Sequence, residues 1–443
     1  MEKKHAEQTS YLKEFAKYTT LNVLGMIGLS CYILADTFFI AKGLGTNGLA
    51  ALNLAIPVYS FIHGSGLMFG IGGATKFSIS RKAGLSDLIF TNTLFYAGIL
   101  AFLFFLAGLF LSPQITALLG ADSQVAGMTR IYLKMILLFA PAFILNDILV
   151  CFVRNDGNPR LSMLAMLGGS MANILLDYIF IFPLGMGIFG AVLATGLAPL
   201  ISIAILSGHW MKKNKGFHLA KTEIRGQTAL LILSLGFPSL IAEVSSGIVI
   251  IVFNILILGL KGNVGVAAYG VIANLSLVVI SIFTGIAQGI QPLISSAYGC
   301  GDSVRIRGLL RYGLITAVFI SLTLYAGIYW CASPITAVFN SEHSLTLQEI
   351  AEYGLRLYFT GILAAGLNII LAIFFTSTEQ AVPAHILSLL RGLVLIIPMA
   401  FFLSGLWGMT GVWLAFPVTE LVCSLTGAAL CKRSYSQSFS ASR

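Results

Sequence analysis

Charged residues are scarce in this sequence: Asp, Glu, Lys and Arg fill 10% of its 443 positions, while hydrophobic residues fill 57%. A soluble domain carries about 25% charged residues. The shortage excludes a soluble globular protein, and the recurring apolar runs of about 20 residues predict an all-α protein that crosses a membrane many times. The net charge of +9 does not indicate nucleic-acid binding, because the basic residues form short clusters between apolar runs.

Paired cysteines and catalytic motifs are missing as well. No CxxC occurs, and we interpret the six cysteines as small, buried apolar residues rather than disulfide partners or metal ligands. No HExxH or GxSxG occurs, and His63 is a lone histidine that we interpret as a packing residue. We therefore expect neither an enzyme nor a bound cofactor. The cysteines are Cys31, Cys151, Cys300, Cys331, Cys423 and Cys431.

Twelve apolar segments are long enough to cross the roughly 30 Å hydrocarbon core as helices, since a helix rises about 1.5 Å per residue. A polar lead-in at 1–17, predicted to be amphipathic and to lie at the cytoplasmic membrane surface, precedes them. A linker at 211–228 separates the sixth from the seventh, and a tail at 432–443 follows the last. The segments are 18–41, 48–74, 89–112, 129–152, 161–182, 187–210, 229–258, 264–292, 312–333, 353–376, 382–403 and 407–430.

Lysine and arginine are enriched in the cytoplasmic loops of membrane proteins. If the N-terminus is cytoplasmic, 20 of these residues fall in cytoplasmic segments and 5 in external ones. This asymmetry predicts an even number of spans, with both termini in the cytoplasm.

Weak internal similarity at a nearly constant offset indicates two repeats. Gly84 matches Gly301 at an offset of 217, and 185–192 resembles 405–412 at an offset of 220 to 221. Because each repeat has six spans, both repeats start on the same side of the membrane. The sequence therefore predicts two six-helix bundles related by a pseudo-two-fold axis along the membrane normal. The predicted lobes are 18–210 and 229–431.

The first apolar segment contains a single charged residue, Asp36. A carboxylate in the hydrocarbon core costs about 2.5–3.5 kcal/mol on insertion scales, so Asp36 should face an interior or a cavity. In the fifth segment Asn173 and Asp177 are one helical turn apart on the same face, and Thr195 in the sixth could add a hydroxyl. Such oxygens suit Na⁺, and two carboxylates that share a site repel each other, so that one should bind a proton readily. These four residues are the predicted site for a coupling cation, H⁺ or Na⁺.

A second set of polar residues is predicted to meet substrate. Glu243 follows Pro238 by five residues, and because a proline bends a helix, Glu243 could line a cavity and meet a cationic substrate. Gln288 and Gln291 are further candidates for substrate binding.

Three other intramembrane charges have different interpretations. Asp147 lies near the cytoplasmic end of its segment and is interpreted as an ion-pair partner close to Arg154. Arg391 either extends to the inner membrane surface or pairs with Glu420, and the sequence leaves both alternatives open.

Four motifs together resemble a known family. LADTFFIAKGLG in the first span, RNDGNPR after the fourth, NILLDYIFI in the fifth and GIFGAVLATG in the sixth are similar to those of the MATE (multidrug and toxic compound extrusion) transporters, nearest to bacterial members of the DinF and MepA kind. In that family an N-half cation site uses an Asp, an Asn–Asp pair and a Thr, and Asp36, Asn173, Asp177 and Thr195 stand at the matching positions. The tenth span has no interior acidic residue, so Glu243 alone would represent a second-half site.

The resemblance implies a secondary active antiporter of the bacterial inner membrane. It would export bulky, cationic or amphipathic drugs in exchange for H⁺ or Na⁺, by alternating access between two lobes. The expected partners are small organic cations and membrane lipids, and a monomer suffices for this design. One alternative is a lipid-linked oligosaccharide flippase of the same superfamily, but such flippases usually carry two more spans and a cationic cavity. A passive channel is a second alternative, which the internal repeat and the buried acids disfavour.

Overall fold

A computed structural model describes residues 2–211, 215–340 and 344–440, with side chains described for 11–211, 215–340 and 344–433. Every regular element in these residues is a helix. Several basic residues that contribute to the predicted orientation have side chains outside the described part: Lys3, Lys4, Lys212, Lys213 and Arg443. The α-helices are α1 (Glu2–Ser80), α2 (Ser86–Phe110), α3 (Ser112–Leu118), α4 (Ala126–Asn155), α5 (Pro159–Ile181), α6 (Gly187–Leu206), α7 (Gly226–Gly299), α8 (Ser303–Trp330), α9 (Ala332–Phe339), α10 (Leu345–Tyr358), α11 (Ile362–Ser377), α12 (Ala381–Leu389), α13 (Ile396–Trp407) and α14 (Met409–Ser440).

The two longest helices, α1 and α7, are each interrupted by one glycine with a non-helical backbone. Gly45 has φ 67° and ψ −158°, and Gly262 has φ 62° and ψ −157°. This backbone conformation is open essentially to glycine alone, because a Cβ would clash with the chain. A straight helix of the 79 residues of α1 would be about 120 Å long, far more than a bilayer is thick. Each long helix therefore provides two spans, one on either side of its glycine.

The described residues contain nine helices that are long and apolar enough to cross a membrane, and the bent α4 adds a tenth. The two parts of α4 meet at 48° next to Pro141, whose missing N–H removes a helical hydrogen bond. Dividing α1 and α7 at their glycines brings the number of spans to twelve. The predicted fold class, an all-α membrane protein with twelve transmembrane helices, is confirmed.

The helices form two compact units. The N unit consists of Lys17–Val244 and Ser295–Ser303, and the C unit consists of the described parts of Met1–Ala16, Ser245–Ile294 and Val304–Arg443. The N unit therefore includes the start of α7, beyond the lobe boundary expected at 210.

Two glycines explain why the start of α7 belongs to the N unit. A Cβ on Gly72 would collide with the carbonyl oxygen of Ile232, and a Cβ on Gly236 would collide with that of Met68. The backbones of α1 and α7 therefore approach more closely there than any larger residue would allow.

The predicted lead-in is continuous with the first span, since α1 begins at Glu2 without a break before Gly45. Its described side chains pack within the C unit. Arg305 of α8 donates to Glu14 at 2.6 Å and lies over the ring of Tyr11, and Phe15 contacts Tyr312.

The described part of the linker, which excludes 212–214, is fastened to the N unit. The side chain of Asp156, at the end of α4, is only 2% exposed and accepts hydrogen bonds from His209 Nε2 (2.9 Å) and from the N–H of Gly216 (2.8 Å), with Arg81 Nη2 at 3.0 Å. Burial acts to raise the pKa of Asp156, but the His209 bond, the Gly216 N–H and the Arg81 charge outweigh it and hold the pKa below its usual value. Phe217 is buried against the rings of neighbouring aromatic residues.

The prediction that all six cysteines are buried is correct for only two of them. All six are free thiols, but Cys31, Cys300 and Cys331 are exposed and Cys431 is half-buried, while Cys151 and Cys423 are buried. Periodicity identifies apolar segments without showing which face of a fully apolar helix turns outward, and a membrane protein exposes apolar residues to lipid.

Candidate functional site

Asp36 and Asp177 lie together inside the N unit. Asp36 is on α1 and Asp177 on α5; their relative exposures are 7% and 0%, and their carboxyl groups are within hydrogen-bonding reach of each other. The two helices can approach because α1 has glycines where they cross. A Cβ on Gly25 would lie 3.0 Å from Met166 Sδ, and one on Gly28 would reach Leu167.

Asn173 and Thr195 complete the group that the sequence predicted. Asn173 is fully buried one turn before Asp177. With its amide assigned to satisfy its neighbours, Nδ2 donates to Asp177 Oδ2 at 3.0 Å and Oδ1 accepts from the backbone N–H of Thr195 at 3.3 Å. Thr195 is itself buried on α6, and its hydroxyl donates to the carbonyl of Ala191 at 3.1 Å. The structure thus brings together all four residues of the predicted cation site.

Tyr132 of α4 is a neighbour of this site that the sequence analysis missed. It is buried, its hydroxyl hydrogen-bonds Thr195, and it interacts electrostatically with both carboxyl groups. An isolated tyrosine in an apolar segment gives no pattern that distinguishes it from a core residue.

The oxygens of this site could hold a proton or a hard cation. Asp36 Oδ1 and Asp177 Oδ1 are both buried and have no hydrogen-bond partner within the described residues. Two carboxylates in contact need a proton or a cation between them to offset their repulsion. Carboxylate, amide and hydroxyl oxygens are also the ligands that Na⁺ accepts, so the residues present fit either ion.

His63 and Asp147 form a second polar pair, and two interpretations of the sequence are corrected here. His63 Nδ1 lies 2.9 Å from Asp147 Oδ2, so His63 hydrogen-bonds an acidic residue, with which it forms an ion pair when the imidazole is protonated, and is more than a packing residue. Asp147 is therefore not paired with Arg154, whose Nη1 donates instead to Asn22 Oδ1 at 3.0 Å. Asp147 and Arg154 are seven positions apart on α4, which places them two helical turns apart along its axis, and this distance explains why they do not pair.

Glu243 lies next to this pair. A Cβ on Gly64 would be 3.1 Å from the Cβ of Glu243, and one on Gly66 would collide with the carboxylate of Asp147. Glu243 interacts electrostatically with both His63 and Asp147. Glycines on α1 therefore let an acidic residue of α7 and one of α4 approach the same turn of α1.

Two tyrosines connect the neighbourhoods of the two groups. The hydroxyl groups of Tyr32 and Tyr59 are 2.8 Å apart. Tyr32 is one turn before Asp36 on α1, and the ring of Tyr59 is stacked on His63 with centroids 5.9 Å apart and an interplanar angle of 6°. A tyrosine pair thus separates the acidic pair from the histidine.

The remaining candidates lie in the C unit. Gln288 and Gln291 are buried on α7, in the part assigned to that unit. Their role in substrate binding stays a prediction.

The alternatives for Arg391 are resolved in favour of Glu420. Glu420 Oε1 accepts from Arg391 Nη2 at 2.9 Å, and Glu420 Oε2 accepts from Asn368 Nδ2 at 2.7 Å. Ser424 in turn donates to Asn368 Oδ1 at 3.0 Å. Arg391 lies in a short π-helical segment, Leu390–Val394, which presents it toward this group.

Twelve spans with ionisable residues buried inside a helical unit are features of a membrane transporter. The chain belongs to the MatE family, whose model matches residues 23–179 and 238–402. This confirms the resemblance seen in the four sequence motifs.

Relatives and solved structures agree with this assignment. The chain is 28% identical to the multidrug export protein MepA of Staphylococcus saprophyticus, over 95% of this chain and 93% of that protein, and 27% identical to MepA of Staphylococcus aureus over the same shares. Its fold is similar to that of a MOP superfamily transporter from Pyrococcus furiosus (TM-score 0.88, 23% identity) and of a multidrug resistance MATE family transporter in an outward-facing conformation (TM-score 0.87, 24% identity). Each structural match covers 96% of both chains.

Proposed function

We propose that this protein is a cation-coupled antiporter that exports bulky organic cations across a bacterial inner membrane. The observation that carries the proposal is the buried contact between Asp36 and Asp177, each with an unpartnered oxygen in the part of the chain that is described. The names of its MepA relatives supply the class of substrate. The excess of basic residues in alternate loops supports cytoplasmic termini.

The Asp36–Asp177 site would couple the two fluxes. An entering H⁺ or Na⁺ binds between the carboxyl groups, and Asn173 and Thr195 hold Asp177 and its helix in place. A transporter that binds its cation and its substrate with different affinities in its inward-open and outward-open states converts the cation gradient into export. The protein thus needs neither a catalytic step nor a bound cofactor, and a single chain is sufficient.

The test uses purified protein in vesicles with a fluorescent organic cation, under a proton gradient and a Na⁺ gradient applied separately. We expect one gradient to drive transport by the wild type, and Asp36→Asn to reduce it to the level of empty vesicles, because the amide cannot take up the cation's charge. The control is Glu223→Gln, which changes an exposed carboxylate on the linker. Wild-type transport by a correctly folded Asp36→Asn protein would show that this carboxylate is not the coupling group.

A further inference from the structure

The proposed coupling site leaves one group of ionisable side chains in the N unit unused. His63 of α1 pairs with Asp147 of α4 at 2.9 Å, and Glu243 of α7 interacts with both. Among the described residues, the other titratable side chains beside this pair are Tyr59, which stacks against the imidazole, Tyr32 of α1, and Cys151 of α4, and all three interact electrostatically with Asp147. Three helices thus place one base and two acids around a single turn of α1.

We propose that His63, Asp147 and Glu243 form an exchange site, where an organic cation takes the place of the proton carried by His63. The inference rests on the proposed function, because it names the residues that would hold the exported cation. It concerns a different site from Asp36–Asp177, which in the proposed function holds the coupling ion.

Charge balance is the first argument for exchange. With His63 protonated, the imidazolium and the two carboxylates carry a net charge of −1, and with His63 neutral the charge is −2. Net charge inside a membrane-embedded protein is unfavourable, so loss of the proton favours entry of another cation. A monovalent organic cation restores the charge of −1, and the proton of His63 passes to solvent. Proton and organic cation are therefore competitors for the same two carboxylates.

Access and shape provide the second argument. The side chain of His63 keeps a relative exposure of 15%, whereas Asp147, like Asp36 and Asp177, is buried. Tyr59 already presents its ring face to the imidazole, and Phe143 meets that ring edge-on with centroids 5.5 Å apart. An aromatic face beside two carboxylates suits a flat or bulky organic cation, because the ring quadrupole attracts positive charge. A small inorganic ion would gain little from these rings.

Asn146 adds a polar atom at the same place. Its Nδ2 lies 3.5 Å from Asp147 Oδ1, and its Oδ1 is buried without a hydrogen-bond partner among the described side chains. An unsatisfied buried amide oxygen is costly, and a cation drawn to Asp147 would also be attracted to this oxygen.

The experiment measures binding, without any gradient, so that its outcome is separate from that of the transport test. Tetraphenylphosphonium is the probe, because it carries a fixed charge and does not titrate. Its affinity for the purified protein in detergent is measured by calorimetry from pH 6 to pH 9, in buffers of different ionisation enthalpy that report the protons released. For the wild type we expect tighter binding as the pH rises, by at most tenfold per pH unit for one competing proton, with release of up to one proton per probe.

The decisive variant is His63→Gln, which removes the competing cation but leaves both carboxylates. We expect the affinity of this variant for the probe to depend less on pH: its fold-change per pH unit should be at least three times smaller than that of the wild type. The variant should also release correspondingly fewer protons per bound probe. His218→Gln, on the exposed part of the linker, is the matched control and should behave as the wild type. Asp147→Asn and Glu243→Gln should each weaken binding at high pH about tenfold.

Three results would overturn the proposal. One is unchanged proton release and pH dependence in folded His63→Gln. Another is loss of binding in folded His63→Gln, which would mean that the imidazole is needed rather than displaced. The third is wild-type affinity in both Asp147→Asn and Glu243→Gln. If Asp36→Asn abolishes transport while any of these results is found, the antiporter proposal stands and the exchange site does not.

Discussion

Asn173 holds together the two helices that carry Asp177 and Thr195. Its amide donates to a buried carboxylate oxygen of Asp177 and also accepts from the Thr195 N–H, which has its own acceptor within α6. Removing one partner from a buried hydrogen bond costs about 1–3 kcal/mol, since the group left behind is neither hydrated nor paired.

We therefore expect Asn173→Ala to lower the free energy of unfolding by about 1–3 kcal/mol, because it leaves the buried Asp177 oxygen without its amide donor. The measurement is thermal unfolding in detergent. Ser202→Ala is the matched control, since Ser202 is buried on α6 but its hydroxyl has no partner within the described residues. Equal losses of stability in the two variants would contradict the role given to the amide.

How much of the site could be predicted differs from residue to residue. Helical spacing alone placed Asn173 beside Asp177, because residues four apart share a face. Asp36 and Thr195 were added because polar side chains inside the hydrocarbon core need polar neighbours, and the family resemblance supported the same four residues. Nothing in their spacing relates three separate spans. The pairing of His63 with Asp147 joins residues 84 positions apart and leaves no local signal. The cost of burying an unpaired imidazole was the one available hint that His63 needs a partner.

Among the elements, the π-helical segment Leu390–Val394 positions a buried ion pair in the C unit. It brings Arg391 to Glu420, whose residue exposure is 2%. Breaking a buried ion pair by removing one partner costs about 3–5 kcal/mol, whereas replacing both partners with apolar groups is often neutral.

For this reason we expect Glu420→Gln to destabilise the protein strongly, by about 3–5 kcal/mol, and the double variant Arg391→Met with Glu420→Met to recover most of the loss. Thermal unfolding of the two proteins provides the comparison. The exposed pair of Arg225 and Glu223 is the control, and Glu223→Gln should cost at most about 1 kcal/mol. A double variant as unstable as Glu420→Gln would mean that the cluster contributes more than charge compensation.

The linker behaves as part of the N unit rather than as a spacer. Its polar composition suggested a boundary between lobes, but the buried side chains of Asp156 and Phe217 fasten its described residues to α4 and α2. Composition could not predict this, because Asp156, which holds the linker residue Gly216, lies 60 residues earlier in the chain.

The linker contact predicts a pH dependence. The pKa of Asp156 is lower in the folded protein than the usual value of about 3.9 for an unfolded chain. Its charged form therefore adds stability that is fully present above that value and is lost as the pH falls through the folded pKa. We expect Asp156→Asn to unfold at a lower temperature than the wild type at pH 7, and to lose less stability between about pH 4 and pH 3. An equal loss of stability in the two proteins over this pH range would contradict the prediction.

At the scale of the whole chain, the internal repeat is visible in the backbone itself. Gly45 and Gly262, which interrupt α1 and α7, are 217 positions apart, the same offset that relates Gly84 to Gly301. The last two also share a left-handed conformation, with φ 70° and 72°. The sequence similarity between the repeats is weak because lipid-facing positions accept almost any apolar residue. Positions that require glycine do not, so these are the positions that match.

The repeat predicts matched effects at the two interruptions. Alanine at Gly45 or Gly262 would have to adopt a conformation that costs about 1–3 kcal/mol, while the added methyl group meets no atom within 4 Å beyond its own residue and the two adjacent ones. We therefore expect Gly45→Ala and Gly262→Ala each to lower the free energy of unfolding by about 1–3 kcal/mol. Gly259→Ala is the control, since Gly259 also has open space around it but a helical φ, and alanine there should be neutral or stabilising by up to about 1 kcal/mol. Losses at Gly45 and Gly262 no larger than at Gly259 would mean that the helices can straighten through these positions. In that case the interruption of α1 and α7 would not depend on glycine, and the matching positions of Gly45 and Gly262 would not be a structural feature of the repeat.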